Sequence, residues 1–253
     1  MQNNQDNKLL LAKIFDKVRI SNKQNKIVNT YFFNEFQIMF LHNQLSKQKY
    51  ANYFFYGGYE QALRKILIVY PDKINKSIAM ENLNMIISVI RVKLPNEIKG
   101  KFKHKDYLGV LMSFGLTRER IGDIIVYDDR SYIVTLKENV EYIKDCFQQE
   151  KKFKKAKIDI INFDEIEPKP LEYANINISV NSLRLDNLVS EILKTSRRIA
   201  QNEILEENVY INNVIETKNT KVVKENDILV IRGKGKYIIY KFLGKNKKRE
   251  RNY

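Results

Sequence analysis

The chain of 253 residues contains one cysteine, Cys146, and two histidines, His42 and His104. A single thiol excludes an intrachain disulfide and fits a reducing compartment. So few Cys and His side chains also exclude a zinc site built from those ligands. No apolar run approaches the ~20 residues that a membrane-spanning helix needs. The first residues, Met1 to Asp6, are polar and lack the apolar stretch of a signal peptide, so a cytoplasmic protein is expected. Among the nine glycines there is no dinucleotide or methyl-donor loop. His104 and Asp106 could be read as an acid–base pair, but no nucleophile or metal cluster accompanies them. No catalytic residue, no metal and no cofactor is expected, and the chain reads as a non-enzyme.

Acidic residues are also scarce. There are 30 Asp+Glu against 45 Lys+Arg, a net charge of +15 and a pI near 9.6. This balance favours a polyanionic partner, nucleic acid before membrane. Lys, Asn and Ile are abundant in the way an AT-rich genome would produce, so the distribution of charge says more than the total. From Val180 to the end there are 16 basic and 9 acidic residues, roughly twice the charge density of the preceding part.

The apolar pattern divides the chain into an α+β arrangement. Residues 1–78 read as a mostly helical domain: Leu9, Leu10, Ile14, Phe15 and Val18, then Tyr31, Phe32, Phe36, Met39 and Phe40, recur at helical spacing. Tyr59 to Lys65 reads as a further helix after Gly57-Gly58. Residues 79–166 read as β-α-β-β-α-β, a ferredoxin-like plan also used by RNA-recognition modules. Its strands are Leu83 to Val92, Ile121 to Tyr127, Ser131 to Leu136 and Lys157 to Phe163. A turn at Asp128-Asp129-Arg130 joins the middle pair. Of the aromatics such modules stack bases on, only Tyr132 is offered, so this sheet is expected to be a scaffold rather than a stacking surface. Lys101, Lys103 and Lys105 could touch phosphates. Residues 167–179 form a linker with a connecting strand from Tyr173 to Val180.

Residues 180–253 carry the densest pattern. Leu185, Leu188, Val189, Ile192 and Leu193 give one helix an apolar face, and Ser196 is the expected N-cap of a second helix, Arg197 to Glu206. Arg197 and Arg198 then lie in its first turn. Cations there oppose the helix dipole by a few tenths of a kcal/mol, yet free backbone N–H groups and guanidinium forks together suit a phosphate. Asn208 and Asn213 stand where left-handed backbone is expected. Short strands are expected at Val209 to Ile211, Lys221 to Val223 and Ile228 to Ile231. Arg232-Gly233-Lys234-Gly235-Lys236 follows as a basic hairpin; it has no Lys-Ser/Thr and no helix after it, so it is not a nucleotide P-loop. The candidate RNA-contacting residues are Arg184, Arg197, Arg198, Arg232, Lys234, Lys236 and, in a basic tail, Lys245, Lys247 and Lys248. Arg118 and Arg120 are further candidates. Replacing Arg197 and Arg198 by alanine is expected to cost about 2–4 kcal/mol in RNA affinity and to leave thermal unfolding nearly unchanged.

The pattern from Arg184 to Lys236 resembles the S-four RNA-binding domain, the αL motif of a small-subunit ribosomal protein. Beyond it, Phe54 to Ala62 (FFYGGYEQA), His104 to Gly109 (HKDYLG) and Gly115 to Ile124 (GLTRERIGDI) resemble the YlmH family of bacterial S-four proteins over nearly the whole chain. The glutamate-arginine-lysine run usual after the Gly-Gly motif is Leu63-Arg64-Lys65 here. The resemblance implies a cytosolic, monomeric RNA-binding protein on the large ribosomal subunit. It would contact ribosomal RNA near a peptidyl-tRNA during rescue of stalled nascent chains, with no membrane partner. S-four domains also accompany RNA-modifying enzymes, and Arg184-Leu185-Asp186 is similar to the catalytic string of pseudouridine synthases. An RNA-modifying subunit, or a protein adaptor linked to cell division, are therefore the alternatives.

Overall fold

The computed structural model describes residues 2–48, 50–170, 174–212 and 214–243. They form two compact units, residues 1–171 and 172–253.

In the first unit, helix α1 (Gln2–Gln24) leads into strand β1 (Val28–Phe33), helix α2 (Glu35–Lys47) and strands β2 (Tyr53–Tyr56) and β3 (Lys65–Val69). The three strands make an antiparallel sheet in the order β1-β3-β2. The expectation of a mostly helical region is thus corrected for 28–33 and for 53–69, which holds two strands and the turn between them. Both faces of this sheet are buried, so Ile66, Leu67, Ile68 and Val69 are consecutive and fully inaccessible. Such a run has no period-2 signature that would distinguish a strand from a helix. Helix α2 begins where expected from its chemistry. The Asn34 side chain accepts from Gln37 N–H, and the Gln37 side chain accepts from Asn34 N–H, each at 3.0 Å.

Two short helices follow, α3 (Lys76–Glu81) and α4 (Leu83–Ile86). Then come β4 (Ile87–Lys93), α5 (His104–Ser113), β5 (Ile121–Val126), β6 (Arg130–Leu136), α6 (Val140–Gln149) and β7 (Lys157–Ile161). The first strand therefore starts at Ile87; the expected strand residues from Leu83 to Ile86 form a helical turn. The sheet order is β5-β6-β4-β7, all antiparallel. One face, with Ile90, Val92 and Ile133, packs on Tyr107, Leu111, Ile143 and Phe147 of α5 and α6. The opposite face, with Val89, Tyr132 and Val134, packs on Phe32, Ile66 and Ile68 of the first sheet. The expected boundary at 78/79 falls within this shared core. The other face of the first sheet buries Phe33, Leu67 and Val69 against Ile14, Leu41 and Leu45.

Two of the three family-like strings, Phe54 to Ala62 and Gly115 to Ile124, meet at this sheet-on-sheet joint. Tyr59 to Lys65 is not a helix but a turn running into β3. It is drawn in by Asp123, whose carboxylate accepts from Tyr59 Oη at 2.8 Å and from the backbone N–H groups of Leu63 and Arg64 at 2.7 and 3.1 Å. The Arg64 guanidinium donates to the carbonyls of Ile121, Phe32 and Arg118. Arg118 donates to those of Ile121 and Gly122. A Cβ on Gly57 would lie 2.3 Å from the Arg64 carbonyl oxygen, and one on Gly122 would lie 2.8 Å from Phe32 Cε1. Only glycine admits such approach.

The second unit contains α7 (Leu185–Leu193), α8 (Arg197–Leu205), β8 (Val209–Ile211), β9 (Val214–Ile215), β10 (Ile228–Ile231) and β11 (Gly235–Ile238). Its sheet runs β11-β10-β8-β9. Leu185, Leu188 and Val189 of α7, Ala200 and Ile204 of α8, and Leu229 and Ile231 of β10 share one core. Residues 174–180 form no strand, correcting that expectation. Lys221 to Val223 contributes only an isolated bridge, Val222 to Arg184.

Candidate nucleic-acid interface

The second unit is organised around one buried carboxylate. Asp186, in the first turn of α7, is fully inaccessible. Arg184 Nε and Nη2 donate to its Oδ1 and Oδ2 at 3.1 and 2.9 Å. Arg197 Nε and Nη2 donate to Oδ2 at 2.9 and 2.8 Å, and Gln201 Nε2 at 3.2 Å. Burial alone would raise the Asp186 pKa. The hydrogen bonds from Arg184, Arg197 and Gln201 outweigh it and hold the carboxyl well below the usual range. The backbone supports the same point, because Leu185 and Asp186 N–H groups donate to the carbonyls of Lys221 and Asn219.

Two arginines expected separately from sequence are therefore brought together. Arg184, at the N-cap of α7, and Arg197, in the first turn of α8, share Asp186, while their side chains stay 36% and 50% exposed. Each uses Nε and Nη2 on the carboxylate, so neither Nη1 has a hydrogen-bond partner among the described residues. Two guanidiniums against one carboxylate leave a net positive surface with pre-oriented donors. Arg197 is one of two half-exposed counter-charges to a buried carboxylate, which argues against a neutral effect of its replacement on thermal unfolding. Arg198, next to it, is exposed and makes no hydrogen bond or ion pair among the described residues. Ser196 caps α8 as expected, accepting from Ile199 N–H at 3.4 Å. A local pair between Arg184 and Asp186 is open to sequence reading; what the sequence does not signal is that Arg197 and Gln201 join it on the same carboxylate.

The basic hairpin is present. Arg232-Gly233-Lys234 joins β10 to β11, with Gly233 at φ 69° and Ile231 paired with Gly235. Lys234 is exposed, Lys236 lies on β11 opposite Val230, and Arg232 is partly buried within electrostatic reach of Tyr210. The left-handed residue after α8 is Glu207 (φ 61°), not Asn208. Asn208 uses its side chain instead, donating to Glu203 at 2.9 Å. Asn212 is left-handed (φ 50°) and donates to Asp227 at 2.8 Å. Asn213, Lys245, Lys247 and Lys248 lie outside the described residues.

In the first unit Arg118, Arg120 and Tyr132 are committed to the fold, while Lys101, Lys103 and Lys105 are exposed. Arg118 is bound to carbonyls as described, and burial lowers its pKa. Arg120 pairs with Glu138 at 3.4 Å and lies over the Tyr31 ring at 5.2 Å. Tyr132 is 1% exposed, so no base can stack on it. His104 and Asp106 do not form an acid–base pair. Asp106 accepts from Lys103 N–H at 2.8 Å, while desolvation and then the Arg118 charge lower the His104 pKa. His104 lines a cleft of about 490 Å³ with Tyr59, Phe102, Lys103 and Tyr127. Cys146 is free and buried. No group of metal-ligating side chains occurs, and no helix is long and apolar enough to cross a membrane, among the described residues.

Residues 81–165 match the family model described as "Putative RNA-binding domain in YlmH". Over 243 residues the chain is 24% identical to "Ribosome-associated protein quality control protein P2" of Bacillus subtilis (strain 168), covering 96% of this chain and 92% of that one. Its fold is similar to that of "Cell division protein ylmH from Streptococcus pneumoniae", with a TM-score of 0.51 and 17% identity over 64% of this chain and 95% of that one. The chain is therefore similar to proteins of the YlmH type, with residues 81–165 as the segment that the family model matches.

Proposed function

We propose that this is a non-catalytic RNA-binding protein that works on the ribosome, gripping large-subunit rRNA and tRNA during rescue of stalled nascent chains. In this reading the second unit is an S-four domain, and residues 87–161 form a ferredoxin-like domain. The observation that carries it is the Asp186 clamp. A carboxylate held by five hydrogen bonds is closed to substrate, but it orients two arginines beside exposed Arg198 at the start of α8. Fixing guanidiniums in advance reduces the entropy lost when they meet phosphates. The printed name of the Bacillus relative, a ribosome-associated quality control protein, supports the ribosomal setting.

A salt titration of RNA binding tests the reading. About four to six phosphate contacts give a log–log slope near −3 to −5. Arg198→Ala lowers the affinity and brings the slope about 1 closer to zero, with thermal unfolding unchanged. Binding that ignores salt and Arg198 would contradict the proposal and favour a protein adaptor.

A further inference from the structure

The segment that the RNA-binding family model matches has both sheet faces buried, so its contact with RNA must lie elsewhere. Two lysine runs lie far apart in sequence within it. Lys99, Lys101, Lys103 and Lys105 precede and open α5; Lys151, Lys152, Lys154 and Lys155 fill the turn between α6 and β7, and Lys157 opens β7. All nine are exposed. The aromatic residue inside each run joins them: Phe102 and Phe153 have ring centroids 4.5 Å apart. Phe153 is fully buried against Tyr107 at 5.0 Å and Phe147 at 5.1 Å. The two runs thus meet over one aromatic anchor.

The carboxylates beside the runs, Glu97 and Asp128 among them, offset this charge only in part. Lys157 pairs with Asp159 at 3.4 Å. Asp106 and Glu150 accept backbone N–H groups, from Lys103 and Lys152. The other eight lysines have no side-chain partner among the described residues. Clustering like charges costs stability through repulsion, which a bound polyanion would relieve. Phe153 is buried and Phe102 and Ala156 are partly buried against the same core, so neither run presents a fully exposed large apolar side chain to insert into a bilayer. A phosphate backbone is favoured over a lipid surface.

We infer that these two lysine runs, joined by Phe102 and Phe153, form a second RNA-backbone site, separate from the arginines of the α7–α8 unit. It binds by charge and carries no base readout. The inference rests on the RNA-binding reading above but not on the arginines of α7 and α8.

The test uses the full chain, a fluorescein-labelled RNA hairpin and anisotropy across a salt series. Lys99, Lys101, Lys103 and Lys105 are replaced by glutamine in one variant, and Lys151, Lys152, Lys154 and Lys155 in another. Each variant is expected to weaken binding at low salt by roughly tenfold and to bring the slope about 2 closer to zero. The loss should add to that of Arg198→Ala, and arginine in place of the same lysines should retain binding. Circular dichroism should match the wild type, because the substituted side chains are exposed. Unchanged affinity in both glutamine variants, with binding still weakened by Arg198→Ala, would overturn this site and leave the arginine site standing. Retained RNA binding with lost binding to phosphatidylserine vesicles would overturn it in favour of a membrane surface.

Discussion

Asp186→Asn changes almost no volume, so its effect is electrostatic rather than a cavity. It replaces a carboxylate that receives five hydrogen bonds, four of them on Oδ2, with an amide that offers only one acceptor oxygen. Breaking a buried pair costs about 3–5 kcal/mol. The partner guanidiniums are 36% and 50% exposed and regain water, which discounts the loss to about 2–3 kcal/mol for the aspartate. For a unit of this size that corresponds to a Tm lower by about 10–20 °C. Scanning calorimetry of the full chain, following the transition of residues 172–253, provides the assay. The pH dependence supplies a second constraint. Asp186 titrates below its unfolded value, so its stabilisation is complete above about pH 4. It is lost as pH falls through the depressed folded value. The wild-type and Asn variants should therefore differ fully at pH 7 and converge in strong acid. A Tm within about 2 °C of wild type at pH 7 would refute the clamp.

Arg197→Ala should both weaken RNA binding and lower the Tm of the second unit, whereas Arg198→Ala should do only the first; paired binding and melting curves separate them. Gly122→Ala should destabilise the first unit by about 1–3 kcal/mol in urea, because its Cβ would sit 2.8 Å from Phe32 Cε1 and 3.0 Å from Val134 Cβ. Asp123→Ala should release the Tyr59–Arg64 turn and raise hydrogen exchange at the Leu63 and Arg64 amides. Cys146 is 1% exposed and burial raises its pKa, so a thiol reagent should label it only on unfolding.

Where polarity alternated with structure, the sequence was informative. The α7 stripe, the Ser196 cap and the β10–β11 hairpin each rest on local chemistry, and each is present. The β-α-β-β-α-β order was also legible, because its hairpin turn and helices carry their own signals. The sheet of β1, β3 and β2 was not. It is buried on both sides, and Ile66 to Val69 look alike as strand or helix until the second sheet is known to cover them. The role of the Gly-Gly and Gly-Asp strings was equally hidden, since Asp123 reaches Leu63 and Arg64 across 60 and 59 residues. At the candidate interface the placement of Arg197 and Arg198 in the first turn of α8 was legible from the Ser196 cap. The carboxylate shared by Arg184 and Arg197 was not, because a three-residue string says nothing about burial.

Crosslinking and sequencing of RNA bound to the tagged protein in cells, beside the Arg198→Ala variant, is the most direct test. The account predicts crosslinks concentrated on large-subunit rRNA and tRNA, and depleted in the variant. Crosslinks scattered over cellular RNA and indifferent to Arg198 would mean that net charge alone attracts RNA, contradicting a dedicated ribosomal site.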